Sequence, residues 1–277
     1  MNSSEIQEVG RTVYRDFWKS ILNHWKKNPK SFPTIITFNY DLVLERSLFQ
    51  MAIGHPPPLY SDGVSGFRLN FCNDTIPSLI YTAKHATWGS YHQDWKDGSI
   101  LVESQSRILS DGFLDIKLLK LHGSLNFPSG KVESRWSPLE ALEEPKIIPP
   151  VFNKTDSTFG TPIWKAALDA LRDCKHLIIC GYSLPTTDTY MQYFLKAALG
   201  PNRNLHKLHV FDPEIFRGEQ KGKDLEDRYG ICFSEQFRDR IQFRPPETQT
   251  RTKLGTFHHM VTILQNNPKD LLFGLEA

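Results

Sequence analysis

The sequence predicts an α/β protein built on a mostly parallel, doubly wound sheet. Apolar runs that suit buried strands alternate with segments of helical periodicity along most of the 277 residues. Three of these runs end in polar residues, and ligands of open α/β sheets bind beyond the carboxyl ends of the strands. The pattern therefore indicates both a fold class and one crevice in which the three polar clusters would meet.

The N-terminal part of the chain supplies a helix, a strand and a second helix. A pattern typical of a capping box at Ser4 precedes apolar residues that recur every four positions, so we expect a helix over 4–27. A strand is expected at 33–38 and a helix at about 41–51. The broad apolar face of the first helix favours packing in the core over a role as an assembly surface.

Two irregular stretches interrupt this alternation. A proline triplet, several glycines and scattered aromatic residues predict an inserted, smaller, loop-rich lobe over 54–115, which is also a candidate assembly surface. A second irregular insertion is expected over 126–160. We interpret residues 1–277 as a single domain that carries both insertions.

The remaining segments alternate between strand and helix, which favours parallel pairing. The expected elements are strands at 116–120, 176–180, 206–211 and near 240–243, and helices at 161–173, 187–199 and about 255–265.

Composition excludes several classes of function. A net charge of +2 leaves no strong electrostatic footprint for nucleic acid. No apolar run reaches the roughly 20 residues that span a bilayer, and no signal peptide opens the chain, so a cytoplasmic location is expected. The four cysteines lack the spacing of a metal site, and we expect neither zinc nor disulfides.

The first polar cluster is Thr37-Phe38-Asn39-Tyr40-Asp41. The Asn39 amide offers one acceptor and two donors, which could hold a sugar hydroxyl or position a water molecule. Asp41 could accept hydrogen bonds from a carboxamide or complement a cationic ring. A carboxylate at the start of a helix also serves as an N-cap, and the spacing does not separate these alternatives.

The second cluster is Leu121-His122-Gly123-Ser124. A histidine at a strand end is a candidate general base, because its pKa lies near neutrality. A single histidine is more often a packed or capping residue. Gly123 would allow a sharp turn or the close approach of a ligand.

The third cluster is Gly181-Tyr182-Ser183-Leu184-Pro185, and Asp212 ends the next strand along the chain. Amides and a hydroxyl before a helix suit phosphate or ribose oxygens, and a strand-end carboxylate suits the hydroxyls of an adenosine ribose. The alternatives are a plain strand-to-helix turn, with Ser183 or Thr187 as the cap, and an ordinary Asp-Pro turn.

Taken in order, T-x-N-x-D, L-H-G-S and G-Y-S-L-P-x-x-D resemble the sirtuin-like domain of bacterial immune NAD hydrolases. The resemblance runs from about Thr34 to Phe211 and implies a Rossmann-like fold. It implies hydrolysis of NAD, as the substrate, to nicotinamide and ADP-ribose through an oxocarbenium-like state, in anti-phage defence by NAD depletion. It also implies assembly as a homo-oligomer, or with a separate sensor or ATPase subunit.

The resemblance assigns a role to each matching residue. Asn39 would handle the nicotinamide ribose and the attacking water, and His122 would accept a proton. Thr37 and Asp41 would belong to cofactor binding, with Asp41 at the nicotinamide carboxamide. The phosphates and the adenosine ribose would contact Gly181, Tyr182, Ser183 and Asp212.

Two features of the family are missing from this sequence. The zinc module built from cysteine pairs is absent, which weakens a protein deacylase interpretation. The N-terminal strand and glycine loop that cradle the phosphates are also absent, so the chain is a truncated form, another segment replaces the loop, or NAD binding is impaired. The alternative function is therefore an NAD- or ADP-ribose-binding subunit, structural or regulatory, of a defence complex.

Overall fold

A computed structural model shows a mixed α/β protein with parallel sheets and several helices. The chain divides into two compact units, Met1–Ala167 and Leu168–Ala277. The structure describes residues 3–25, 32–54, 66–73, 76, 79–82, 113–129, 139–148, 161–216, 219–233, 240–244, 256–268 and 271.

Two helices of the first unit, α1 (Ser3–Trp25) and α2 (Val43–Gly54), pack against each other. The indole Nε1 of Trp18 donates hydrogen bonds to the Leu44 carbonyl at 3.0 Å and to Ser47 Oγ at 3.1 Å. One face of α1 is buried, through Val13, Phe17, Trp18, Ile21 and Leu22. The expected core-packing role of this helix is therefore confirmed for the side chains that the structure describes.

A four-stranded sheet forms the centre of the first unit. Its strands are β1 (Ile35–Thr37), β2 (Gly66–Asn70), β3 (Leu79–Thr82) and β4 (Phe113–Lys120), in the order β1-β4-β2-β3. β4 pairs in parallel with both β1 and β2, and β3 is antiparallel to β2. The two predicted strands of this unit are thus confirmed as parallel neighbours.

Strands β2 and β3 lie within 54–115, the stretch for which the sequence predicted a loop-rich lobe. The sequence did not predict these two strands, which extend the sheet that contains β1 and β4, and the inserted lobe itself stays a prediction. Phe67, Leu69 and Phe71 alternate along the chain and are at most 1% exposed, so the aromatic residues of this stretch pack as one face of a strand. Residues 83–112 of the predicted lobe lie outside the described residues.

A two-stranded antiparallel sheet follows β4 directly. It pairs β5 (Gly123–Pro128) with β6 (Pro145–Ile147), and both strands overlap the stretch 126–160 that was predicted to be irregular. β5 is buried on both faces, so it lacks the alternation of apolar and polar residues that identifies a strand in a sequence. Residues 149–160 lie outside the described part.

The second unit contains a three-stranded parallel sheet in the order β7-β8-β9. These strands are β7 (His176–Cys180), β8 (Lys207–Phe211) and β9 (Ile241–Phe243). The helices around them in sequence are α3 (Thr161–Asp173), which begins in the first unit, α4 (Thr189–Leu199), α5 (Glu219–Cys232) and α6 (Thr256–Asn266).

The alternation of strands and helices predicted for this part of the chain is confirmed, with two additions. A short 3₁₀ helix, Pro213–Phe216, and the helix α5 were not predicted. The described strands form three separate sheets, so one continuous doubly wound sheet stays a prediction. Among the described residues, no helix combines the length and the apolar character that crossing a membrane requires.

Candidate functional site

The first two polar clusters lie at the carboxyl edge of the four-stranded sheet. In the parallel pair of β1 and β4, Thr37 stands opposite Lys120, and the Leu121 amide donates to the Thr37 carbonyl at 3.1 Å. Asn39 and His122 each come two residues after this matched pair. The structure therefore brings Asn39 and His122 to the same edge of one sheet.

Hydrogen bonds join the two clusters to each other. The Tyr40 carbonyl accepts from the Leu125 amide at 2.9 Å and from Ser124 Oγ at 3.4 Å. The backbone amide of Asn39 donates a hydrogen bond to Thr37 Oγ1 at 3.1 Å, and this bond fixes the turn that follows β1. Because the backbone of 38–41 is held in this way, the exposed side chain of Asn39 projects from an anchored loop.

His122 is largely buried, with 9% of its surface exposed, and packs beside this loop. Its ring lies 5.2 Å from the Phe38 ring, centroid to centroid, with an angle of 42° between the planes. Its carbonyl accepts a hydrogen bond from the Ile148 amide at 2.8 Å. His122 is therefore a packed residue, as one of the two interpretations of the sequence expected. The same packing limits the orientation of its ring, which a general base also requires.

Position 123, which directly follows His122 and lies against strand β6, requires a glycine. Its φ is +77°, and a Cβ at this position would lie 2.1 Å from the Lys146 carbonyl oxygen and 3.1 Å from Ile147 Cα. Both the left-handed backbone and the close approach of β6 exclude a larger residue. The glycine of the second cluster therefore sets the turn that places His122.

The side chains of Thr37 and Asp41 both accept hydrogen bonds from backbone amides two residues further along the chain. Thr37 Oγ1 accepts from the Asn39 amide, and Asp41 Oδ1 accepts from the Val43 amide at 3.0 Å, at the first residue of α2. Asp41 lies two residues before the first residue of α2, so this bond forms a turn ahead of the helix, and the N-cap alternative for Asp41 stays a prediction. A ligand role for its carboxylate stays a prediction.

A buried ion pair beneath the loop was not anticipated from the sequence. Lys120 Nζ lies 2.7 Å from Glu45 Oε1, and the side chains are 1% and 0% exposed. Lys120 Nζ also donates to the Asp41 carbonyl. Burial raises the pKa of Glu45, and the ammonium of Lys120 opposes that shift. The available signals were a lysine at the end of an apolar strand and a glutamate one helical turn after Asp41.

The third cluster and Asp212 lie at the carboxyl edge of the second unit's sheet. Gly181 follows β7 with a φ of +71°, and its amide donates to the Phe211 carbonyl at the end of β8 at 2.8 Å. Asp212 comes next and is 3% exposed. Its Oδ1 accepts from the Glu214 amide at 2.8 Å, so the turn-starter alternative for this Asp-Pro pair is also present.

Asp188 caps the helix that follows the third cluster. Its Oδ1 accepts from the Met191 amide at 3.2 Å, and its Oδ2 accepts from the Tyr182 hydroxyl at 2.8 Å. The suggestion that Ser183 or Thr187 is the cap was therefore wrong, because α4 begins at Thr189 and only position 188 directly precedes it. Burial and the adjacent Asp188 raise the pKa of Tyr182.

Helix α5, which was not predicted from the sequence, holds the backbone of this cluster. Arg228 Nε donates to the Ser183 carbonyl at 2.9 Å, and the Tyr229 hydroxyl donates to the Tyr182 carbonyl at 2.5 Å. Arg228 also pairs with Glu214. A half-buried guanidinium thus stands beside the turn to which the resemblance assigns the phosphates.

The structure therefore groups the site residues into two sets. Thr37, Asn39, Asp41 and His122 belong to the first unit, and Gly181, Tyr182, Ser183 and Asp212 belong to the second. That the two sets serve one dinucleotide stays a prediction. Within the described ranges, no group of three or more His, Cys, Asp or Glu side chains could hold a metal ion.

No protein-family model matches this sequence, and no curated protein matches it. The assignment of a function therefore depends on the two residue sets and on the motifs to which they belong.

Proposed function

We propose that this protein hydrolyses NAD to nicotinamide and ADP-ribose on a Rossmann-like, doubly wound fold. The observation that supports this most directly is the joining of the T-x-N-x-D and L-H-G-S motifs. Their backbones are bonded through Tyr40 and Leu125, and Phe38 packs on His122. The parallel pairing of β1 with β4 brings both motifs to one edge of the sheet, where ligands of α/β proteins bind, and this supports a shared site for Asn39 and His122.

Asn39 and His122 carry the reaction in this proposal. The amide of Asn39 holds a ribose hydroxyl and orients the attacking water. His122 accepts a proton as the bond between nicotinamide and ribose breaks and the water oxygen bonds to the sugar. The products are nicotinamide, ADP-ribose and one proton. Asp41 accepts a hydrogen bond from the carboxamide of the nicotinamide, and Thr37 accepts one from the Asn39 backbone amide in the loop.

The second set is assigned to the rest of the dinucleotide. Gly181, Tyr182 and Ser183 contact the phosphates and the adenosine ribose, and Asp212 accepts hydrogen bonds from ribose hydroxyls. The strand-end positions of Gly181 and Asp212 support this assignment, since that edge binds ligands in parallel α/β sheets. The guanidinium of Arg228, bonded to the Ser183 carbonyl and paired with Glu214, lies close to the proposed phosphate position.

The biological role that we propose is a cytoplasmic effector of bacterial anti-phage defence that acts by depleting NAD. Uncontrolled loss of NAD is toxic, so the enzyme needs an inactive state. We propose that activation depends on assembly as a homo-oligomer or on a separate sensor or ATPase subunit.

A second candidate is a subunit that binds NAD or ADP-ribose without cleaving it. One observation favours it: His122, the candidate general base, is only 9% exposed and packs against Phe38, as a structural histidine does. Protein deacylation is a weaker third candidate, because the sequence has no paired cysteines for the zinc module that shapes an acyl-peptide groove.

The test is nicotinamide release from NAD by the purified protein, measured by chromatography with and without candidate partner proteins. Asn39→Ala and His122→Ala should each lower turnover by about 10²–10⁴-fold, the usual contribution of a positioned catalytic group. Asn266→Ala and His206→Ala, which alter exposed residues of the same types, are the matched controls and should retain turnover.

Calorimetric titration with NAD separates the candidates. Binding without nicotinamide release, in the presence and absence of partners, would support the binding subunit. Near-normal turnover by either Asn39→Ala or His122→Ala would exclude the proposed chemistry.

A further inference from the structure

The ion pair between Lys120 and Glu45 lies in the interior of the first unit. The two side chains are 1% and 0% exposed, and their charged atoms are 2.7 Å apart. Lys120 is the last residue of β4, and Glu45 lies in the first turn of α2. The pair therefore connects the strand that precedes His122 with the helix that follows Asn39.

A buried ion pair is a poor way to stabilise a core. The cost of removing two charges from water offsets most of their attraction, and apolar residues of similar volume are often as stabilising or more so. Here the compensation is also incomplete, because Glu45 Oε2 is buried and accepts no hydrogen bond from the residues that the structure describes. Stability alone does not account for this pair.

The second contact of the Lys120 ammonium indicates a different role. Its ammonium donates to the carbonyl of Asp41, in the loop that carries Asn39. That loop is held on its other side by the bond from the Leu125 amide to the Tyr40 carbonyl. Glu45 holds the ammonium in place, and the ammonium holds the loop.

We propose that Lys120 and Glu45 are positioning residues, which fix the 38–41 loop so that Asn39 stays in register with His122. The proposal rests on the function proposed above for Asn39 and His122. It adds a requirement that the motifs themselves do not contain, namely a cation and an anion outside the reacting set.

The deciding variant is the double substitution Lys120→Met with Glu45→Met, which removes both charges and leaves side chains of similar length. Either single substitution would leave one buried charge unpaired and destabilise the whole unit. The double variant should melt close to the wild-type temperature, because the interior becomes apolar. It cannot restore the bond to the Asp41 carbonyl.

Two measurements follow the loop in the folded double variant. Hydrogen exchange of the Leu125 and Asn39 amides, whose acceptors lie in or beside the loop, should become about tenfold faster. In nicotinamide release, kcat should fall about tenfold while KM changes by less than about twofold, since the loss is of alignment in the transition state.

The matched control is Arg68→Met with Asp115→Met. This pair also has a 2.7 Å contact and also involves β4, but Asp115 lies at the other end of that strand and its partner is on β2. The control should leave the exchange of Leu125 and Asn39 unchanged.

Each outcome is decisive. Wild-type protection of both amides in the double variant would mean that the pair is only part of the core, and the proposal would be wrong. A double variant that does not fold would also overturn it, because the pair would then serve the whole unit. If the wild-type protein releases no nicotinamide, the proposed function fails, while the exchange data still decide the positioning role.

Discussion

Replacing Gly123 with alanine tests how His122 is placed, and Gly181 offers a matched comparison. Both glycines have a left-handed backbone, with φ values of +77° and +71°. Among the described residues, a Cβ on Gly181 would meet only Thr256 Oγ1, at the ordinary distance of 3.6 Å, whereas a Cβ on Gly123 would lie 2.1 Å from the Lys146 carbonyl oxygen. The two substitutions share the conformational cost and differ in the steric clash.

The expected magnitudes follow from this difference. The left-handed conformation costs a residue with a Cβ roughly 1–2 kcal/mol, which is the full expected effect of Gly181→Ala on the free energy of unfolding. For Gly123→Ala, displacement of the Lys146 backbone adds about 1–3 kcal/mol, the usual cost of overpacking. The sum, about 2–5 kcal/mol, is a large part of the 5–15 kcal/mol by which a typical protein is stable.

The distribution of residue types provides a separate probe for each unit. All six tryptophans precede residue 168, so tryptophan fluorescence in a urea titration follows the first unit and Gly123→Ala. Cys174, Cys180 and Cys232 belong to the second unit, and their alkylation is measured separately from that of Cys72 in the first unit. Burial raises the pKa of Cys180 to about 12 and those of Cys174 and Cys232 to about 11, so their alkylation at neutral pH follows the unfolding of the second unit and Gly181→Ala.

Equal losses of stability in the two variants would refute this reasoning, because the clash with Lys146 would then contribute nothing. A Gly123→Ala variant with unchanged nicotinamide release would separately show that the turn does not place His122. The same variant with unchanged stability would show that β6 does not approach the turn as closely as described.

Three further substitutions test other contacts. Asp188→Ala should lower the free energy of unfolding of the second unit by about 0.5–2 kcal/mol through loss of the helix cap, as measured by thiol alkylation in urea. Asp188→Asn keeps an oxygen that can cap the helix and should retain most of this stability. Equal losses in the two variants would contradict the capping role. Burial, with the nearby charges of His206 and two lysines, lowers the pKa of His176 below 6.5, so the unfolded chain binds the proton first as the pH falls. The free energy of unfolding should therefore be retained above about pH 6.5 and should decrease as the pH falls below it. In thermal melts over this range, the melting temperature of His176→Asn should decrease less steeply than that of the wild type. An equally steep decrease in the variant would show that other groups cause the pH dependence. Trp18→Phe leaves the Leu44 carbonyl and Ser47 hydroxyl without the indole donor and should cost about 1–3 kcal/mol in a circular-dichroism melt, and a neutral result would show that α1 does not depend on these bonds.

The strand ends were the part of the structure most open to prediction. An apolar run followed by polar residues or a glycine identifies the end of a buried strand, because both signals are local in the sequence. The positions of Asn39, His122 and Gly181 relative to their strands were predicted for this reason. That Asn39 and His122 share an edge followed from assuming parallel pairing, which the register of β1 and β4 confirms.

The missed features depend on information that is not local. The Lys120–Glu45 pair joins residues 75 positions apart, and neither residue type indicates burial on its own. Helix α5 is dominated by charged residues, and its short apolar face, formed by Leu225, Tyr229 and Cys232, is a weak periodic signal. β2 was obscured by the glycine, arginine and asparagine in its five residues.

The pairing of β1 with β4 has a consequence for how the protein is made. A chain emerging from the ribosome exposes residues 35–37 long before residues 118–120 are synthesised, so β1 first lacks the neighbour to which it binds. Closing so long a loop slows folding more than it lowers stability, since each doubling of loop length costs only about 0.6 kcal/mol. The Asn39 loop can therefore be organised only after β4 has been translated, and an N-terminal fragment that stops before Phe113 would contain the asparagine without the structure that orients it.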